Sequence, residues 1–167
     1  MDTKYLRDLA VSDPAEFARQ LNDLDYACVK KQTDALEPYS FGSNINVLLI
    51  TDRRHGLAVG LMQYFGKSTD ISVDLVYSLS DVKKVLKEKR VDFLVVVGMF
   101  ENEENYKSIQ MVKKANKHII VLMYAYIDPA IKFYCEEYGI EHLYSCLAPV
   151  EGFVEYMRLR YLGTVQS

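Results

Sequence analysis

No stretch of the chain reaches the roughly 18 to 20 uninterrupted apolar residues that a membrane span requires. The amino-terminal MDTKYLRDLAVSDP, with Asp2, Asp8 and Asp13, also lacks the apolar run of a secretory signal. The expectation is a cytoplasmic protein with no membrane partner. Cysteine is scarce: Cys28, Cys135 and Cys146 are odd in number, far apart and in no C-x-x-C pair. A disulfide framework or a zinc site is therefore not expected, and the three should be reduced thiols in packed positions. There is no basic surplus. The net charge is -3, with five Lys/Arg against eight Asp/Glu in residues 1–42 and fifteen of each in residues 43–167, which leaves no footprint for direct nucleic-acid binding. Internal repeats and low-complexity tracts are missing too.

What is present is a globular composition, 50% hydrophobic and 26% charged over 167 residues, enough for one ordinary domain and a helical appendage. Ser12-Asp13-Pro14 supplies a capping side chain and a proline suited to the first helical turn. Phe17, Leu21, Leu24 and Cys28 follow at spacings of four, three and four, one apolar stripe on a helix of about five turns. That helix stops before Glu37-Pro38, and Tyr39–Asn44 reads as a linker, so residues 1–42 form a helical extension and residues 43–167 a second unit.

From Asn46 onward the pattern changes to short apolar runs: Val47–Ile50, Val73–Tyr77, Phe93–Val97, Ile119–Met123 and a weaker Leu143–Cys146. Helix-length segments separate them: Gly56–Phe65, Asp81–Lys89, Glu103–Ala115 and Pro129–Tyr138, with Val150–Tyr161 last. Ser80 is the expected cap of the second, Asp128-Pro129 opens the fourth, and Gly139 closes it. Strands apolar on both faces must be covered on both faces. Five such βα units predict an α/β domain, a doubly wound, flavodoxin-like five-stranded parallel sheet with ligand chemistry at its carboxyl edge.

LLITD, residues 48–52, SLSDVKKVLKEKRVDFLVVV, residues 78–97, and YGIEHLYSCLAPVEGFVEYMRLRYL, residues 138–162, occur in that order. The order of elements and these segments resemble the CheY-like receiver domains of bacterial two-component response regulators, over roughly Asn46 to Leu162. The resemblance implies a two-component signalling role in which Mg²⁺ and a phosphoryl group meet on acidic side chains. Carried over by position, that machinery is mostly missing. The acidic pair after the first strand becomes Thr51 and Asp52. The acceptor Asp falls on Val97, followed by Gly98, the Thr/Ser that senses phosphorylation falls on Tyr124, and the lysine falls at about Cys146. One carboxylate beside Arg53 and Arg54 makes a poor Mg²⁺ site, so no metal or cofactor is expected. The resemblance thus implies a non-enzymatic pseudo-receiver, a signal-transduction protein acting through protein–protein interaction as a homodimer.

Other readings attach to the same loop. Arg53 and Arg54, with Lys67, are candidates for an anion such as a nucleotide or phosphate, which would make Asp52–His55 a small-molecule sensing loop. Cobalamin modules share the architecture but use Asp-x-His-x-x-Gly, and Asp52-Arg53-Arg54-His55 has a different spacing. Gly66-Lys67-Ser68 looks like the tail of a P-loop, yet five residues rather than four separate Gly60 from Gly66. Gly66 is better placed as a left-handed helix cap. The interface expected for a dimer or other protein partner draws on the stripe residues Phe17, Leu21 and Leu24 and on Tyr126, Tyr134, Tyr138 and Tyr144.

Overall fold

A computed structural model describes residues 3–51, 55–98 and 103–166. Helix α1 (Thr3–Ser12) leads into α2 (Pro14–Asp34), whose cap Asp13 accepts a hydrogen bond from the Glu16 amide at 3.2 Å. Then follow β1 (Ile45–Ile50), α3 (Gly56–Phe65), β2 (Ile71–Val76), α4 (Leu79–Glu88), β3 (Phe93–Val97), α5 (Glu103–Ala115), β4 (Ile120–Ala125), α6 (Pro129–Tyr138), β5 (His142–Ser145) and α7 (Val150–Gln166).

All strand pairs are parallel and the order is β2-β1-β3-β4-β5, the doubly wound, flavodoxin-like arrangement read from the alternation. β3 and β4 are buried along their whole length, as their unbroken apolar sequences require. Leu57, Leu61 and Phe65 of α3 and Phe153 and Met157 of α7 pack one face of the sheet. Val82 and Val85 of α4, Ile109 and Val112 of α5, and Ile131 and Cys135 of α6 pack the other. Phe41 of the linker is buried between Phe93 and Tyr161, and the Asp70 carboxylate accepts from the Phe41 and Gly42 amides.

Three local expectations need correction. α4 is capped by Ser78, which accepts from the Asp81 amide, and not by Ser80; the Ser-x-x-Asp spacing puts an acidic residue at the third helical position. Gly66 does end α3, but with φ -64 it is right-handed, because Lys67 and Ser68 continue the chain in tight turns onto the Tyr64 and Phe65 carbonyls. The three thiols are not all packed: α2 docks through Asp25, Val29 and Thr33, which leaves Cys28 exposed together with Leu21 and Leu24 of the stripe. Gly139, by contrast, takes the left-handed φ of +69 expected of it.

Candidate functional site

The carboxyl ends of the strands bring the expected pocket positions together. Val97, the last residue of β3, is in register with Tyr124, which pairs in turn with Tyr144. The Gly98 amide donates to the Tyr124 carbonyl at 3.0 Å, and the Cys146 amide to that of Ala125 at 3.0 Å. Thr51 follows β1 and is fully buried. Thr51, Val97, Tyr124 and Cys146 thus line one edge, all with buried side chains. Gly98 turns with φ +79, and a Cβ there would stand 3.2 Å from the His55 ring.

Among the described residues, Thr51, Val97, Tyr124 and Cys146 give the edge buried, uncharged side chains. Val97 is 0% exposed, and no carboxylate occupies the position that the resemblance assigns to the phosphoryl acceptor. Burial, with the Asp25 charge adding to it, pushes the Cys146 thiol up to about 12, so it is neither ionised nor accessible as a nucleophile. Burial raises Tyr124 in the same direction. The Thr51 and Tyr124 hydroxyls have no hydrogen-bond partner among the described residues, an arrangement that costs about 1–3 kcal/mol per buried group.

Over this edge lies α2, held by polar contacts to three elements. The Asn22 side-chain carbonyl accepts from the Gly56 amide at the start of α3 at 2.7 Å. The Asp25 carboxylate accepts from the Tyr126 hydroxyl just after β4. The Gln32 side-chain carbonyl accepts from the Val150 amide at the start of α7 at 3.0 Å. Asn22 and Gln32 thereby satisfy amides that helix starts otherwise leave without partners. Asp25 is only 4% exposed; burial raises its carboxyl above the ordinary range, with the Tyr126 hydrogen bond and the His55 charge pulling the other way.

Close approach of α2 depends on two glycines one turn apart. A Cβ at Gly56 would lie 2.1 Å from the Asn22 carbonyl oxygen and 2.7 Å from the Tyr26 amide nitrogen, and one at Gly60 would lie 2.7 Å from a Val29 methyl. Small residues at this spacing let two helix backbones meet. Beside the contact, Asn22, Tyr26, Gly56 and Gln63 line a cavity of about 410 Å³.

The remaining site expectations fall as follows. Asp52, Arg53 and Arg54 lie outside the described residues. His55 caps α3, its Nδ1 accepting from the Leu57 amide at 3.2 Å. Lys67 donates to the Thr33 carbonyl and faces Asp34 at 3.7 Å, and Ser68 bonds Tyr39 and Asp70, so this pair serves the local fold. Tyr126, Leu21 and Leu24 are exposed, and Phe17, Tyr134 and Tyr138 are half-buried. Tyr144 turns inward, its ring on Phe153 and its hydroxyl donating to the Pro149 carbonyl at 2.6 Å. Asn22, Asp25 and Gln32 were not foreseen. Their signal was a line of polar side chains at helical spacing on α2, which is legible only once α2 is known to meet α3, Tyr126 and the start of α7.

No protein-family model matches the chain, and none of the curated proteins matches its sequence. Solved structures do match its fold. A LuxR-family two-component response regulator from Aurantimonas sp. SI85-9A1 superposes with a TM-score of 0.58 at 11% identity, covering 72% of this chain and 87% of that one. The signal receiver domain of an HD domain-containing protein from Pseudomonas fluorescens Pf-5 gives 0.60 at 11% identity, covering 74% and 99%. The complex of the CheA3 P1 domain with CheY6 from R. sphaeroides contributes a chain at 0.58 and 13% identity, covering 72% and 99%. The architecture is therefore that of response-regulator receiver domains. The Mg²⁺ that the receiver resemblance implies does not fit the described edge: Thr51, Val97, Tyr124 and Cys146 offer no carboxylate, and Asp25 is engaged by Tyr126. Among the described residues no helix is long and apolar enough to cross a membrane.

Proposed function

We propose that this protein is a phosphorylation-independent pseudo-receiver, a signal-transduction module that works by protein–protein contact and not by catalysis. The observation that carries the reading is the filled pocket: Val97 stands where an acceptor carboxylate is needed, and α2 covers the same strand ends through Asn22, Asp25 and Gln32. A receiver switches by the arrival of a phosphoryl group. Here the covalent helix α2 occupies that edge permanently, so the fold presents one fixed surface.

In this reading the surface serves a homodimer. Leu21 and Leu24 remain exposed on α2, and Leu21 lies one turn before Asp25, whose partner Tyr126 is exposed as well. Exposed apolar side chains that cluster mark contact surfaces. Light scattering of the full chain should give a dimer mass that acetyl phosphate with Mg²⁺ does not change, and Leu21→Asp with Leu24→Asp should give a folded monomer. A wild-type monomer at every concentration, or association that depends on acetyl phosphate, contradicts the reading.

A further inference from the structure

Two basic runs that are separate in the sequence meet in the fold. KKVLKEKR, residues 83–90, ends α4, and KKANKH, residues 113–118, ends α5, and the two helices pack together. These fourteen residues hold eight Lys/Arg and one Glu, while the other 153 hold twelve Lys/Arg and twenty-two Asp/Glu. The nearly neutral totals conceal this: positive charge is concentrated at one corner of an otherwise acidic molecule. The corner lies where chain enters β3 and β4, at the opposite sheet edge from α2.

The corner is shaped as well as charged. A cavity of about 360 Å³ opens between the helix ends, its apolar lining Leu86, Val91 and Ala115 and its charged lining three cations, Lys87, Lys89 and Arg90, against the one carboxylate of Glu88. Asn116, largely buried, joins the two runs. Its side-chain amide donates to the Val91 carbonyl at 2.8 Å, and its oxygen accepts from the His118 amide at 3.0 Å and the Arg90 guanidinium at 3.3 Å. Lys89 is committed to Asp74 at 3.0 Å, and Lys113 to the Gly139 carbonyl at 2.7 Å. Lys83, Lys87, Lys114 and Lys117 are exposed, and no ion pair is formed by them among the described residues. Favourable interaction with the helix dipoles accounts for Lys87 and Lys114 in last turns, but not for Arg90 or Lys117 beyond them.

We propose that this corner docks an acidic segment of a partner protein, a short Asp/Glu-rich stretch with an apolar side chain that enters the cavity. Charge complementarity selects acidity, and the Leu86, Val91 and Ala115 lining selects the apolar anchor. A nucleic acid fits less well: no aromatic side chain among the described residues lines the cavity to stack a base, and the rest of the chain, with twenty-two Asp/Glu against twelve Lys/Arg, repels phosphates that extend past the corner. The inference is independent of the pocket at the other edge.

The test uses the full chain and a short fluorescent Glu/Leu peptide followed by anisotropy, beside a Lys/Leu peptide and a DNA duplex. Only the Glu/Leu peptide should bind, more weakly as salt is added. Lys87→Glu with Lys114→Glu should weaken binding at least about tenfold, the corresponding Gln variants should weaken it less, and Lys132→Glu on exposed α6 should leave it unchanged. Circular dichroism checks the fold of each variant. No binding of the acidic peptide at low salt, unchanged binding by the double Glu variant, or tighter binding of the duplex each overturns the proposal.

Discussion

Replacing Gly56 by alanine is expected to destabilise the protein by about 3 kcal/mol, lowering its melting temperature by roughly 6–12 °C. The added Cβ would sit 2.1 Å from the Asn22 carbonyl oxygen and 2.7 Å from the Tyr26 amide, and both are backbone atoms that cannot rotate away. Relief requires α2 to lift off α3. Lifting breaks the Asn22 hydrogen bond to the Gly56 amide and exposes Val29, which is otherwise fully buried. Gly60→Ala should cost less, since its nearest neighbours, a methyl and the Cβ of Val29 at 2.7 and 2.8 Å, stand farther off than the Asn22 backbone oxygen does from Gly56. Thermal and urea unfolding of both variants check the order. A Gly56→Ala melt equal to wild type would show that α2 does not bear on α3 as described.

Placing a carboxylate at the end of β3 should be at least as damaging. Val97 is 0% exposed and packs in the core shared by α3 and α7, so Val97→Asp places an unpaired charge there at a cost of about 3–5 kcal/mol. The new carboxyl would join a neighbourhood in which burial already raises Asp25, Tyr124 and Cys146, with no lysine replacing Cys146 to offset it. Urea unfolding measures the loss. A Val97→Asp protein as stable as wild type that also accepts a phosphoryl group would mean that the edge is an open pocket after all.

How much of this was legible in the sequence depended on the range of the forces involved. The strands are continuous β-branched and apolar runs, and the caps at Asp13, Asp128 and Gly139 are local, so element types, the parallel sheet and most boundaries could be read directly. The strand ends followed, since parallel strands place their carboxyl termini on one edge, and Thr51, Val97, Tyr124 and Cys146 do meet there. The orientation of α2 was not legible. Its apolar stripe reads as a partner surface and does not say which residues meet α3, because that contact is governed by how closely two backbones can approach. Gly56 and Gly60 allow that approach over Val29, which leaves Leu21, Leu24 and Cys28 outside. The role of Asp25 was hidden for the same reason, because its partner Tyr126 is 101 residues away in sequence. Charge was misread by counting along the chain: the basic corner exists only where the ends of α4 and α5 converge.

The proposed phosphorylation-independence is tested most directly by intact-mass spectrometry of the full chain after incubation with acetyl phosphate and Mg²⁺. The expected spectrum is that of the unmodified protein, because the acceptor position is Val97 and the Asp25 carboxylate of α2 is buried against Tyr126. A single added phosphoryl mass that disappears in Asp52→Asn would contradict this, and would make the protein a working receiver with a displaced acceptor.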